Sequence, residues 1–193
     1  MRSYFLAALF FLFGTVAFSQ GQPEGLFLGA KAPDFTGTDQ FGREVNLRQL
    51  AKREPVLLVF YKGSWSPSCI RLLSRLQDSL SFFTDRQTTV IAISPESDSS
   101  RAITLQKTRA GFSLLWDSAH LIAKRYDVLE EFSVSQLARF RSGGIDLVKL
   151  NAPNPPQLPV PSVFLIGKDY TISYRFFDSE QKRRVSVKEL LQQ

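Results

Sequence analysis

A chain of 193 residues, 44% of them hydrophobic, has the length and apolar content of one ordinary globular domain with a real core. Its formal charge of +6 comes from scattered Lys and Arg with short runs such as Lys182-Arg183-Arg184, and no concentrated basic stripe with a reading motif is present, which speaks against nucleic-acid binding. One Cys and one His exclude an intrachain disulfide framework and a metal site of the usual ligand spacing, and no cofactor motif is present.

Arg2, an apolar run over residues 4–16, and the small residues Ala17 and Ser19 before Gln20 predict a secretory signal peptide over residues 1–19. The run is shorter than the about 20 residues a membrane span needs, and no later segment replaces it, so export without a stable span is expected. Residues 20–28 lack periodicity and read as a linker, which leaves one domain over residues 29–193. Within it, residues 35–47 hold two β-prone arms around Asp39-Gln40-Phe41-Gly42, the pattern of a hairpin.

Residues 55–61 form a continuous apolar, β-branched and aromatic run, as expected for a strand buried on both faces. A helix follows at once: Ser66 can cap it, Pro67 suits its first position, and Cys69, Leu73, Leu76, Leu80 and Phe83 recur along one face. The pattern continues with a strand over 88–93, a helix over 99–110, a short strand over 114–116, and helices over 118–126 and 132–141. Residues 142–158, rich in proline, read as a surface insertion. Strands over 161–166 and 171–177 and a helix over 185–191 end the chain. This order predicts an α/β fold: a central mixed sheet flanked by helices, with an N-terminal β-hairpin, the thioredoxin-like arrangement.

Three segments carry a family resemblance: Tyr61-Lys62-Gly63-Ser64-Trp65-Ser66-Pro67-Ser68-Cys69, Ala92-Ile93-Ser94-Pro95 and Leu158-Pro159-Val160-Pro161-Ser162. Together they resemble a bacterial peroxiredoxin-like branch of the redoxin, or alkyl hydroperoxide reductase/thiol-specific antioxidant, family, over roughly residues 29–190. The resemblance implies that Cys69 is the peroxidatic cysteine and Ser66 the hydroxyl residue of Pro-x-x-x-(Thr/Ser)-x-x-Cys, with Trp65 and Pro67 shaping the site. Lys62 stands where that motif has proline, and the family's late-strand arginine would fall near Pro161, where none exists. Pro161 matches instead the cis-proline that faces the active-site turn in thioredoxins. The implied partners are a hydroperoxide and an external thiol of thioredoxin or small-thiol type; with the signal peptide, secretion across the inner membrane to the periplasm is expected.

The first turn of a helix, with its unpaired N–H groups and dipole, favours a thiolate. Cys69 sits there as a candidate nucleophile that becomes a sulfenic acid. Its spacing with Leu73 and Leu76 also permits an inert core thiol, against which the strand-turn-helix context speaks. Ser66 has two readings, peroxide hydrogen bonding or helix capping, and Trp65 two, cavity wall or plain packing. Arg71, Arg101 and Arg175 are candidates for the missing cation, and His120 is expected to face water. Two functions therefore stay open: a one-cysteine peroxidase, oxidised to a sulfenic acid or to a homodimer bridged through Cys69, and a catalytically degenerate redoxin domain that binds a partner in the inherited cleft.

Overall fold

The computed structural model describes residues 22–193, so the predicted signal peptide lies outside them. From Glu24 onward the expected linker is laid onto the domain. The Glu24 and Gly25 N–H groups donate to the Asp127 carboxylate and carbonyl at 2.9 and 2.8 Å, and Gly29 N–H donates to the Ile172 carbonyl at 2.9 Å. The hairpin forms as read, β1 (Thr36–Thr38) antiparallel to β2 (Glu44–Asn46). Its turn is closed by the buried Asp39 carboxylate, which accepts the N–H groups of Phe41 and Arg43, both at 2.9 Å. A helix missed in the sequence, α1 (Leu47–Ala51), follows, started by the Asn46 side chain accepting from Gln49 N–H at 2.8 Å.

Next in chain order come β3 (Val56–Phe60), α2 (Pro67–Asp78), α3 (Leu80–Asp85), β4 (Thr89–Ser94), α4 (Asp98–Thr108) and β5 (Ser113–Trp116). A 3-10 turn at Ser118–His120 leads to α5 (Leu121–Arg125) and then to β6 (Leu129–Glu130), α6 (Val134–Ser142) and α7 (Leu147–Asn151). The chain ends with β7 (Leu158–Pro159), β8 (Ser162–Ile166), β9 (Ile172–Phe176) and α8 (Val187–Leu190). Five strands form one sheet in the order β5-β4-β3-β8-β9, parallel across the first three and antiparallel beyond. Every residue of β3 is buried, as its unbroken apolar run requires.

Alternation along β3 feeds two cores. Val56, Leu58 and Phe60 pack with Leu47, Ala51, Ile122 and Tyr126 on one face. Leu57 and Val59 pack with Cys69, Leu73, Leu76 and Leu190 on the other. Each fully buried Leu in such a layer stabilises the fold by about 1.5–3 kcal/mol through apolar burial. The long predicted helix is interrupted at Ser79, whose N–H is shared among the carbonyls of Arg75, Leu76 and Gln77, and α3 resumes so that Phe83 still reaches the core.

The segment 142–158 is not a plain surface insertion. It contains α7 and folds back so that Asn151 and Asn154 are buried. Asn154 donates to the carbonyls of Pro95 and Asp117 at 3.2 and 2.8 Å and accepts the Ala119 N–H at 2.8 Å. This fold-back also overturns the expectation for His120. It is fully buried, with Nε2 3.0 Å from the Pro155 carbonyl oxygen, and burial lowers its pKa. β6 and β7 pair with each other, Leu129 opposite Pro159 and Glu130 opposite Leu158, and so bracket the whole excursion. Among the described residues no helix is long and apolar enough to cross a membrane.

Candidate active site

The site begins where β3 leaves the sheet. Tyr61 N–H continues the ladder by donating to the Ile93 carbonyl at 3.1 Å, and the chain then turns through Lys62 to Ser66 before α2 starts. Gly63 has φ +143°, and a Cβ there would stand 3.0 Å from both Glu96 Oε1 and Trp65 Nε1, so backbone freedom and lack of a side chain are both required. Ser66 is the N-cap residue, but its side chain makes no cap bond; its Oγ lies 3.2 Å from Ser68 Oγ instead. The first-turn N–H groups beside Cys69 are therefore left without that cap, and the Ser66 hydroxyl pairs with Ser68 at the cavity wall.

Cys69 is 2% exposed, with its Sγ accepting the Lys62 N–H at 3.5 Å. It nonetheless lines a cavity of about 290 Å³, together with Ser66, Trp65 and Pro161. Four of the five predicted site residues thus converge. The fifth, Pro67, is exposed at the first helical position, where its fixed φ sets the start of α2 without lining the cavity. The isomer of Pro161, which the sequence leaves open, is trans: the cis X-Pro bond among the described residues is Ala152–Pro153. Val160 N–H donates to the Val128 carbonyl at 2.7 Å just ahead of β8, which starts at Ser162.

A buried carboxylate holds the turn. Glu96 is fully buried; its Oε1 accepts the Ser64 N–H at 2.5 Å and its Oε2 accepts the Thr104 hydroxyl at 2.8 Å. From the other side Lys107 Nζ donates to the Ser64 carbonyl at 2.9 Å. Burial, reinforced by the nearby Glu96 charge, raises the Tyr61 phenol well above its ordinary value, so it stays neutral. Glu96 was not singled out in the sequence. The available signal was its place just past the C-terminal end of a buried parallel strand, where open α/β sheets gather their ligands.

Of the three arginines considered, only Arg71 reaches the cavity. Arg101 is buried against Asp98, 2.6 Å away, and Arg175 lies 5.3 Å from the ring centres of Phe27 and Phe177. Cations not foreseen there arrive from elsewhere: Lys62, Arg75, Arg183 and Arg184. The half-buried Lys62 donates from Nζ to Gln181 Oε1 at 2.5 Å, and Gln181 in turn donates to Glu130 Oε2 at 3.0 Å. Burial pushes the Lys62 pKa down, opposed by the charges of Glu130 and Cys69. Overhead, α6 contributes Phe140, edge-on to Trp65 at 5.9 Å between centroids and to Phe132 at 5.1 Å.

Comparison with known proteins gives the family and the fold. The profile of the AhpC/TSA family matches residues 28–175. The chain is 32% identical over 100 residues to the chloroplastic peroxiredoxin Q of Sedum lineare, a match covering 52% of this chain and 53% of that protein. It thus spans about half the length of the curated relatives it matches. Among solved structures, peroxidoxin BcpB of Mycobacterium tuberculosis superposes with TM-score 0.62 at 21% identity, covering 79% of this chain and 86% of that one. The yeast mitochondrial 1-Cys peroxiredoxin gives 0.66 at 20% identity, covering 86% and 73%. At such identities these two structures establish the shared thioredoxin-like fold.

Proposed function

Because the chain belongs to the AhpC/TSA family, we propose that it is a one-cysteine thiol peroxidase reducing hydroperoxides through Cys69. The observation that carries this reading is the placement of Cys69: first turn of α2, sulfur in contact with the Lys62 N–H, lining a cavity beside an uncapped Ser66 hydroxyl. The thiolate sulfur attacks the terminal oxygen of the hydroperoxide. An S–O bond forms, the O–O bond breaks, the sulfur loses two electrons to become a sulfenic acid, and the departing alkoxide takes a proton to leave as an alcohol. The Ser66 hydroxyl and the first-turn N–H groups donate hydrogen bonds toward the reacting oxygens.

With one Cys in the chain, reduction needs an external thiol. One thiol condenses with the sulfenic acid, releasing water and leaving a mixed disulfide; a second thiol displaces Cys69 as a thiol and departs as the symmetric disulfide. A reductant of thioredoxin or small-thiol type fits this need. The near-complete burial of Cys69 favours a persistent sulfenic acid over a homodimer bridged through Cys69. The signal-like pattern of residues 1–19 supports export to the periplasm.

The deciding experiment is intact-mass spectrometry during titration with hydrogen peroxide. One oxygen should add rapidly at Cys69, and peroxide consumption should vanish in Cys69→Ala. The second reading, a degenerate redoxin domain that binds a ligand, is favoured by that same 2% exposure, and a rate no faster than that of a free bulk thiol would select it.

A further inference from the structure

The cavity beside Cys69 carries far more charge than peroxide chemistry requires. Its wall presents the cations Lys62, Arg71, Arg75, Arg183 and Arg184 against the carboxylate of Asp178 alone. Asp178 is already engaged, accepting the Arg183 N–H at 2.6 Å with that guanidinium 3.8 Å away. Arg71 and Arg75 lie four residues apart on α2, a like-charge spacing that is weakly unfavourable on a helix, on the scale of one exposed pair. Neither belongs to an ion pair among the described residues, and Arg184 donates only to the backbone carbonyls of Gln181 and Arg183, at 2.7 and 3.0 Å. All four arginines are exposed, so water screens part of their mutual repulsion, and an anion placed between α2 and the loop carrying Arg183 and Arg184 would relieve the rest.

Apolar groups fill the rest of the lining: Leu72, Phe140, Phe176 and Val185. The volume of about 290 Å³ lies at the small end of ligand clefts, which run from roughly 300 to 1,000 Å³. A water-sized oxidant has no use for such a wall.

We propose that this cavity recognises a small amphipathic carboxylate, its apolar body against Leu72, Phe140 and Val185, its carboxylate held by the Arg75–Arg184 side, and its reactive end at Cys69. The inference rests on the peroxidase reading of Cys69 and specifies its substrate. One chemistry has two sources: a carboxylate-bearing hydroperoxide, which gives its terminal oxygen to the sulfur and leaves as a hydroxy acid, or a carboxylate-bearing thiol, which condenses with the sulfenic acid and releases water.

Two arms separate the sources. In the first, the rate of Cys69 sulfenic acid formation is compared between an ω-hydroperoxy hexanoate and its methyl ester. In the second, the rate at which preformed sulfenic acid is lost is compared between mercaptopropionate and its methyl ester. A preference for the free acid of about tenfold or more in either arm is expected, as electrostatic steering gives, falling as salt is raised and collapsing in Arg75→Gln/Arg184→Gln. Ratios near one in both arms, with sulfenic acid forming normally, would overturn the proposal while leaving the peroxidase reading intact. If no hydroperoxide oxidises Cys69, the peroxidase reading fails and calorimetric titration with hexanoate decides: binding that is lost in the double variant sustains carboxylate recognition, and no binding ends it.

Discussion

The floor and the roof of the cavity are built by different physics. The floor is the Lys62–Cys69 turn, pinned between the all-buried β3, the core side chains Leu73 and Leu76, and the buried Glu96 carboxylate. The roof is α6, a helix with no buried residue, held over the site by the aromatic edges of Phe132, Phe140 and Trp65 and by its capping box at Ser133. A sulfur that must react needs fixed neighbours, whereas a wall that admits a ligand needs a weaker hold, since low local stability is what permits opening.

The comparison predicts that damage to the floor is costly in stability and damage to the roof mainly changes access. Leu73→Ala should lose the most, about 2–5 kcal/mol, because Leu73 is fully buried directly beneath Cys69 and the cavity left behind cannot collapse against the sheet. Urea unfolding measures this, and a loss below about 1 kcal/mol would mean that the floor is not close-packed.

The anchor of the roof's connecting segment should show itself through pH. Burial pushes the Asp117 carboxyl up to about 6, against the lowering by the Ile122 and Ala123 N–H groups and the Lys124 charge. Because this folded value lies above the ordinary one near 3.8, the folded state holds the proton more tightly. The associated stability is full below about pH 4 and is lost as pH rises through about 6. Its full extent is on the order of 3 kcal/mol. The difference in unfolding free energy between Asp117→Asn and the parent should therefore swing in the variant's favour from pH 4 to pH 7; a flat difference would show that the carboxyl titrates normally.

Glu96→Gln should cost about 1–3 kcal/mol, because the amide replaces one of the two accepting carboxylate oxygens with an NH2 group, so the charge-assisted bonds from the Ser64 N–H and the Thr104 hydroxyl weaken and the latter must reverse its direction. Its sharper signature is a slower reaction of Cys69 with peroxide, measured by stopped flow, since the turn that carries the sulfur's neighbours is loosened. An unchanged rate alongside lost stability would separate Glu96 from the site.

The smallest stability effect belongs to the roof. Phe140→Ala should cost about 1 kcal/mol, the scale of its edge-on aromatic pairs. Alkylation of Cys69 by a bulky maleimide should nevertheless accelerate more than alkylation by iodoacetamide. Equal acceleration of both reagents would point to general loosening instead of a lost wall.

This division also explains what could be read in advance. The unbroken run Val56–Phe60 and the spacing of Cys69, Leu73 and Leu76 are local patterns with one physical solution, so the sheet, α2 and the position of the thiol follow from them. Ser66, Trp65, Pro161 and Cys69 meet because that strand-turn-helix is local apart from β8. What escaped depends on long-range pairing. Glu96 reads as a polar loop residue until Ser64, 32 positions away, supplies its donor. Lys62 meets Gln181 across 119 positions. His120 reads as a solvated helix residue until Pro155 and Asn154 fold over it, and the prolines that suggested an irregular insertion conceal α7.

The bracketing of residues 131–157 by β6 and β7 makes that stretch a cassette. Glu130 and Leu158 are partners across a two-stranded ladder, so the polypeptide departs and returns at one place. A two-residue hairpin turn of Asn-Gly type would join them with the flanking register kept. Lineages, or an engineer, can thus graft a different covering over an unchanged sulfur site, altering which molecules are admitted while the reacting group keeps its setting. The transplant must supply replacements for the bonds that Asn154 makes to Pro95, Asp117 and Ala119, because those contacts lie at the seam between cassette and host.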